Sequence, residues 1–246
     1  MGVDKRTIDT KLVLWYTGTM QKIVEPVKFA VLASDIVLFT IRDAELLVRL
    51  IHVERPPYFP NNAGLPGGLI DPKETAEDAA KRLVTDKAGV DAKKVYFEQL
   101  YTFSALKRDP RGRVVAVAYL GLIPWESLSA KERENTKNSY WMPVKKARNL
   151  AYDHDEVLRT AGGRLQSRTT YTTLIQKLMS KEFTLTELET AYESILGTDL
   201  DKRNFRKKIL KLGILKALSN KRKSGAFRPA QLYSFATSKI DEIEVL

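Results

Sequence analysis

The chain has 246 residues, enough for one large domain or two modest ones that each bury a core. It contains no cysteine, which excludes disulfides and thiolate metal sites, and no run of about 18 uncharged apolar residues, which argues against a membrane-spanning helix. The first residues show no secretory signal, so we expect a cytoplasmic protein.

The net charge of +11 arises from one segment near the C-terminus. Residues 202–228 contain eleven Lys and Arg residues and no Asp or Glu, whereas the rest of the chain has 30 basic and 30 acidic residues. A solvated helix face usually mixes charges of both signs, so this asymmetry predicts a surface that binds a polyanion. The alternative is a basic surface without a specific partner.

The N-terminal half is predicted to be rich in β-strands. Residues 27–41 and 45–53 are apolar and β-branched, and the short polar turn between them predicts a hairpin. The prolines and glycines of residues 56–68 predict an irregular loop. The later expected elements are a helix from Glu74 to Ala88 that ends at Gly89, strands at 95–103 and 114–123 around a turn at 107–113, an approach to a helix at 141–150, and a helix from Asp153 to about Ser167 that Gly162 and Gly163 interrupt.

Two helices are predicted in the C-terminal third. Thr184 and Glu187 have the spacing of a capping box, and apolar residues at helical spacing follow them. The second helix begins at Asp199 or Asp201, ends before Gly213 and carries many basic residues. Its expected inward residues are Phe205, Ile209 and Leu212, and its expected outward residues are Lys202, Arg203, Arg206 and Lys207.

The segments around these helices predict a winged helix-turn-helix. A helix at 167–179 precedes them, and a short strand at 214–218, a basic turn at 219–229 and a returning strand at 230–235 follow. In such a module the second helix enters the DNA major groove and the wing holds phosphates. The basic segment therefore lies where a DNA contact is expected.

Residues 68–90 resemble a Nudix box, in which Gly, five residues, Glu and seven residues precede Arg-Glu-apolar-x-Glu-Glu-x-Gly-apolar. The positions that fit this spacing are Gly68, Glu74, Arg82, Val84, Gly89 and Val90. The resemblance implies a Nudix fold. Taken as an ordinary helix, the same residues would give Glu74 a role in the first turn and pair Arg82 with Asp78 or Asp86.

Three positions depart from the Nudix pattern. In Nudix hydrolases the late glutamates bind divalent cations, but here Leu83 and Lys87 replace two of them and Asp86 shortens the third. A hard cation needs several anionic oxygens. We therefore expect a site that binds its ligand without a metal, a cofactor or catalysis.

The chain is similar over nearly its whole length to the NrtR-like transcriptional regulators, which join a degenerate Nudix domain to a winged helix. The segments that carry this similarity are the box, residues 108–124 and residues 183–210. It implies an α+β protein, with a Nudix α/β/α sandwich containing a mixed sheet at 1–165 and a winged helix-turn-helix domain at 166–246. It also implies a homodimer that represses genes of NAD metabolism, binds a double-stranded DNA operator and senses ADP-ribose. A sister group senses arabinose or related sugars instead.

The expected sites follow from this similarity and from the charges. Arginines that meet a diphosphate favour a nucleotide effector, although each could equally be solvated or paired. The predicted effector-binding residues are Arg55, Gly67, Gly68, Glu74, Arg82, Arg111 and Arg113. The predicted DNA-binding residues are Lys202, Arg203, Asn204, Arg206, Lys207, Lys221, Arg222, Lys223 and Arg228.

Two other functions remain open at this point. One is a Nudix hydrolase, such as an ADP-ribose pyrophosphatase, that uses Glu74, Asp86 and carboxylates outside the box. The other is a plain DNA-binding protein whose Nudix domain only supports dimerisation. Magnesium-dependent hydrolysis distinguishes the first, and a ligand-induced thermal shift distinguishes the second.

Overall fold

The computed structural model describes residues 29–222 and 229–243. Its N-terminal part is a seven-stranded mixed sheet with the order β3-β2-β1-β6-β5, in which β4 pairs with β1 and β7 pairs with β2. The strands are β1 (Val31–Arg42), β2 (Glu45–Arg55), β3 (Phe59–Gly64), β4 (Gly67–Leu69), β5 (Tyr96–Phe103), β6 (Val114–Leu122) and β7 (Ser139–Pro143), and the helices are α1 (Ala76–Leu83), α2 (Ala130–Arg133) and α3 (His154–Tyr171).

Strand β1 shows how the sheet is covered on both faces. Its side chains alternate between the two faces, as the period of a strand requires. Ile36 and Leu38 belong to one buried cluster with Leu83 of α1, whereas Val37 packs in a second cluster with Val157 of α3. Helices therefore lie on both sides of the sheet, and the predicted α/β/α layering with a mixed sheet is confirmed.

The predicted hairpin is confirmed by the antiparallel pairing of β1 and β2, in which Phe39 lies opposite Val48. Asp43 and Ala44 form its turn with φ of 49° and 65°. Positive φ at both central residues matches the twist of the two strands. The first residues of the predicted strand, 27–28, lie outside the described residues.

The prediction of an irregular loop at 56–68 is wrong, because β3 pairs with β2 and β4 pairs with β1. β3 lies at the edge of the sheet, so Pro60 can lack an N–H without breaking an interior ladder. In β4, a Cβ placed on Gly67 would lie only 2.2 Å from Asp35 Oδ1, so β4 can approach β1 this closely only with glycine at position 67. The prolines and glycines of this segment indicated turns, but pairing with β1 and β2 makes it form two short strands.

The predicted helix after Glu74 is confirmed, with a capping box between Thr75 and Asp78 at its start. α1 continues past Leu83 as a wide π-type turn, Val84–Ala88. Gly89 ends it with φ of 69°, a conformation that favours glycine. The box thus forms a strand, a loop and a helix, as its spacing indicates.

Helix α3 differs from its prediction in two ways. It runs without a break through Gly162 and Gly163, because buried Leu158 and Leu165 anchor it on either side of the pair. It also extends into the region expected to hold a separate helix at 167–179, where only a short 3-10 segment, Thr173–Lys177, follows. α3 therefore crosses the predicted domain boundary after residue 165.

The approach to a helix expected at 141–150 includes strand β7, which pairs with β2 from Leu47 to Ile51. Only a 3-10 turn, Val144–Lys146, lies between β7 and the loop that leads to α3. The proline and the two lysines of this segment masked its strand character.

The C-terminal part is a winged helix-turn-helix, as predicted. Thr184 and Glu187 form the expected capping box, and Asp201, not Asp199, caps the second helix. Rings of Tyr192 and Phe205 pack 5.2 Å apart between the two helices. Its elements are β8 (Phe183–Thr184), α4 (Leu185–Leu196), α5 (Lys202–Lys211), β9 (Leu215–Arg222) and β10 (Ala230–Phe235), with the sheet order β8-β10-β9.

Candidate functional site

A cavity of about 490 Å³ opens where β1, β2, β4, the 107–113 turn and the start of α3 meet. Four of the predicted effector residues line it, namely Arg55, Gly67, Gly68 and Arg111. Glu74, Arg82 and Arg113 do not line it. The cavity also contains charged residues that the sequence did not single out, among them Asp35, Arg108, Asp109 and His154.

Glu74 and Arg82 hold the Nudix-box loop against its helix. Arg82 Nε donates to Glu74 Oε2 at 3.0 Å, and Arg82 Nη2 donates to the carbonyl of Leu69 at 3.2 Å. Hydrogen bonds from Arg82 and from the amide of Asp71 lower the pKa of Glu74 to about 2. Arg82 therefore pairs with Glu74 rather than with Asp78 or Asp86, and both residues support the cavity from outside.

A buried ion network forms the floor of the cavity. Arg108 donates to Asp153 through Nε at 2.8 Å and Nη2 at 2.7 Å, and the same Nη2 donates to Asp35 Oδ2 at 2.8 Å. His154 Nδ1 accepts from the amide of Leu65 at 2.9 Å, so its Nε2 carries the proton and faces Asp35 Oδ1 at 3.7 Å. These contacts tie β1, the 107–113 turn and α3 together.

The network keeps the Asp35 carboxylate charged. Burial alone would raise the pKa of Asp35, but its contact with His154 and its ion pair with Arg108 lower the pKa overall. Asp35, Asp153 and His154 place possible ligand atoms within 4.8 Å of one another. Arg108 already occupies this carboxylate pair as its counter-ion. A strand that is otherwise apolar around Asp35 was the sequence signal for this network.

The Nudix family uses divalent cations, and the donor set here does not fit one. Leu83 is buried in the core and has no donor atom. The Lys87 ammonium enters the cavity and donates to the carbonyl of Gly67. Glu74 is occupied by Arg82. Of the carboxylates in the box, only Asp86 lines the cavity.

The two predicted arginines of the 107–113 turn have different positions. Arg111 lines the cavity, pairs with Asp109 at 2.6 Å and lies over the ring of Tyr152, 5.4 Å from its centre. Arg113 instead donates to the carbonyl of Ser104 at 2.7 Å and closes the turn. Arg111 is therefore placed to meet a ligand, and Arg113 is not.

Helix α5 presents exposed Lys202, Arg203, Asn204 and Lys207, as predicted. Arg206 differs: it is half-buried, donates to Thr186 Oγ1 at 3.0 Å and lies 3.5 Å from Glu189 Oε2 on α4. It joins the two helices rather than extending into solvent.

In the wing, Lys221 is exposed, whereas Arg222 pairs with Glu187 and donates to the carbonyl of Glu182 at 3.3 Å. Lys223 and Arg228 lie outside the described residues.

Comparison with known proteins gives the family. The NUDIX domain family matches residues 32–161, and the NrtR DNA-binding winged helix domain matches residues 175–235. An ADPR-responsive transcriptional repressor of Acinetobacter baylyi is 35% identical over 211 residues, which cover 84% of this chain and 82% of that protein. The chain belongs to the NrtR family of transcriptional regulators. Both domains predicted from the sequence are confirmed in this family assignment.

Solved structures of the NrtR family resemble the chain over both domains. Shewanella oneidensis NrtR in complex with a 27mer DNA is 32% identical, with a TM-score of 0.72, and the match covers 83% of this chain and 93% of that one. The Nudix domain of the same NrtR, crystallised with ADP-ribose, is 29% identical with a TM-score of 0.50, covering 65% of this chain and 99% of that one. Within the described parts of this chain, no helix has both the length and the apolar character to cross a bilayer.

Proposed function

We propose that this NrtR-family chain is a homodimeric, ADP-ribose-responsive repressor of genes for NAD or pyridine nucleotide metabolism, acting on a DNA operator in the cytoplasm. The single observation that carries the proposal is the charged cavity, with Arg55, Lys87 and Arg111 on its wall, built on one end of α3, the helix whose other end leads into the winged helix. The family assignment and the ADP-ribose complex of a relative support it. We propose residues 1–165 as the sensing part and 166–246 as the DNA-binding part.

The charges of the cavity favour a nucleotide over a sugar. Arg55, Lys87 and Arg111 all line it. A diphosphate gains charge-assisted hydrogen bonds from such groups, whereas a neutral pentose would leave the charges of Arg55 and Lys87 without an anionic partner. Arabinose or xylose is therefore the weaker candidate for the effector.

Helix α3 provides a path from effector to DNA. Its first residue, His154, belongs to the buried network of the cavity, and Leu165 packs in the same cluster as Leu174 and Tyr192 of the winged helix. An anion that competes for Arg108 would change the contacts of Asp153 and so shift the position of α3. We propose that the effector weakens operator binding in this way.

The proposed Nudix domain binds without hydrolysis. Leu83 and Lys87 leave Asp86 as the only box carboxylate on the cavity wall, which is too few for a hard cation. Turnover of ADP-ribose with magnesium at about 1 per second or faster would contradict this part of the proposal.

Calorimetry on the full chain tests the proposed effector. We expect ADP-ribose to bind, arabinose and xylose not to bind, and ADP-ribose to lower the affinity for an operator selected from genomic DNA. Arg55→Gln removes a cavity cation and should weaken ADP-ribose binding by roughly 10-fold or more.

Arg113→Gln is the matched control, because Arg113 ends the 107–113 turn but donates to the carbonyl of Ser104 and does not line the cavity. Equal losses in the two variants, or binding of a pentose alone, would refute the nucleotide assignment.

A further inference from the structure

Lys87 occupies a specific place in the cavity wall. It lies in the π-type turn after α1, and its ammonium donates to the carbonyl of Gly67 across the Nudix-box loop. A Cβ on Gly68 would lie 2.9 Å from Leu83 Cδ2 and 3.2 Å from Lys87 Nζ, so glycine at 68 leaves room for both side chains. The side chain is thus fixed over the loop at a position where the Nudix pattern has a metal-binding glutamate.

The other cations of the cavity are mostly neutralised. Arg108 is held by Asp35 and Asp153, and Arg111 is held by Asp109. Among the described residues, no carboxylate lies within 4.0 Å of the Arg55 or Lys87 cationic groups. These two side chains therefore carry positive charge that remains available to an anionic ligand.

The chemistry of an ammonium suits binding but not hydrolysis. It offers three donors, of which Gly67 uses one, so two remain for phosphate oxygens. It cannot coordinate and deprotonate water as a divalent cation does. A ligand held by Lys87 would keep its diphosphate intact.

We propose that the Lys87 ammonium replaces the divalent cation of Nudix hydrolases, so that this chain binds the diphosphate of its effector without any metal. The inference rests on the proposed nucleotide effector and adds the charge that holds it. It explains why the box keeps its loop and helix while losing its metal ligands.

The test measures binding of ADP-ribose and of inorganic pyrophosphate to the full chain, in EDTA and in excess magnesium. We expect the wild-type affinities in the two buffers to agree within about twofold. Lys87→Met keeps the aliphatic stem and should lose roughly 10- to 100-fold in both buffers. Lys87→Glu should lose binding in EDTA and recover part of it with magnesium, because it restores a metal ligand.

Lys81→Met is the matched control, since Lys81 lies on the same helix, is exposed and pairs with Glu77 outside the cavity. Thermal denaturation and operator binding verify that each variant is folded. Wild-type binding that requires magnesium, or Lys87→Met binding equal to wild type, overturns the inference while leaving the nucleotide effector standing.

The two proposals can fail separately. If pyrophosphate binds without metal and through Lys87 but ADP-ribose does not bind, the inference is supported and the proposed effector is wrong. If neither anion binds in either buffer, both are wrong.

Discussion

Arg108 is the residue on which the cavity floor depends. It is buried together with Asp35 and pairs with two carboxylates at once, those of Asp35 and Asp153. Removing one partner of a buried ion network leaves charges that neither water nor protein compensates. The chain therefore depends on this guanidinium for stability as well as for the shape of the cavity.

Replacement of Arg108 by Met should lower the free energy of unfolding by about 3–5 kcal/mol, because Asp35 and Asp153 lose their shared counter-ion. Urea denaturation measures this change. Lys107→Met, at an exposed neighbouring position, should change stability by less than about 0.5 kcal/mol. If Arg108→Met lowered the free energy of unfolding as little as Lys107→Met, the ion network would not be formed in solution.

Glu132 contributes to the stability of the folded state, and its contribution depends on pH. It accepts from the amides of Asp91 at 2.8 Å and Ser129 at 2.6 Å, and Lys94 Nζ lies 2.7 Å away. Burial alone would raise the pKa of Glu132, but these hydrogen bonds lower it from its ordinary value of 4.5 to about 2. The folded state thus holds the ionised form more strongly than the unfolded state.

The stability from Glu132 should be complete above pH 4.5 and should be lost as the pH falls towards 2. Glu132→Gln should be less stable than wild type at neutral pH, and the difference should shrink through this acid range. Urea midpoints for both proteins, from neutral pH down to about 3, measure the difference. A gap that stays constant with pH would mean that Glu132 titrates normally in the folded state.

The sequence revealed only part of the site at this scale. Gly68 could be predicted because the Nudix-box spacing marks it, and Gly67 because it directly precedes the box. Asp35 and Arg108 could not be paired in advance, because they are 73 residues apart and meet only after the sheet forms. The position of Arg206 was missed for a similar reason, since its partner Glu189 lies on another helix.

Among the elements, α3 has the largest functional consequence. Its glycine pair predicted an interruption, but burial on the opposite face keeps the helix continuous from the cavity to the winged helix. β3 and β7 were missed because prolines and charges hide edge strands from local patterns. Capping boxes and glycine stops were recognised because they depend on neighbouring residues alone.

Gly163→Ala should stabilise the protein by roughly 0.5–1 kcal/mol, because alanine favours a helix interior and its Cβ would meet no atom within 4 Å. Gly89→Ala is the contrasting variant, since φ of 69° strains an alanine, and it should destabilise by about 1 kcal/mol or more. Thermal denaturation compares the two. Destabilisation by Gly163→Ala would mean that α3 breaks at the glycine pair in solution.

At the scale of the whole molecule, charge is divided between the two functions. The cavity uses a few fixed cations beside carboxylates, whereas residues 202–228 carry eleven basic residues and no acidic ones. Arg206 and Arg222 are paired with glutamates, so they hold the winged helix together. Besides these two, the predicted DNA-binding residues that the structure describes are Lys202, Arg203, Asn204, Lys207 and Lys221, all of them exposed.

This division predicts three kinds of DNA-binding variant. Arg203→Ala or Asn204→Ala should narrow the gap between operator and random DNA by about 1–3 kcal/mol, since these side chains can bond base edges from the start of α5. Lys221→Ala should weaken all DNA sequences about equally and flatten the salt dependence, because a phosphate contact releases counter-ions regardless of sequence.

Arg206→Ala is the variant that separates structure from contact. Removal of the guanidinium should lower the thermal stability, because Glu189 stays buried without its cation. Operator binding should fall only in proportion to the loss of folded protein. Fluorescence anisotropy with operator and random duplexes over a salt series, beside denaturation of each variant, measures both effects. Arg206→Ala could instead keep the stability unchanged and abolish the preference for the operator. That outcome would mean that Arg206 breaks its contacts with α4 and contacts bases when α5 binds DNA.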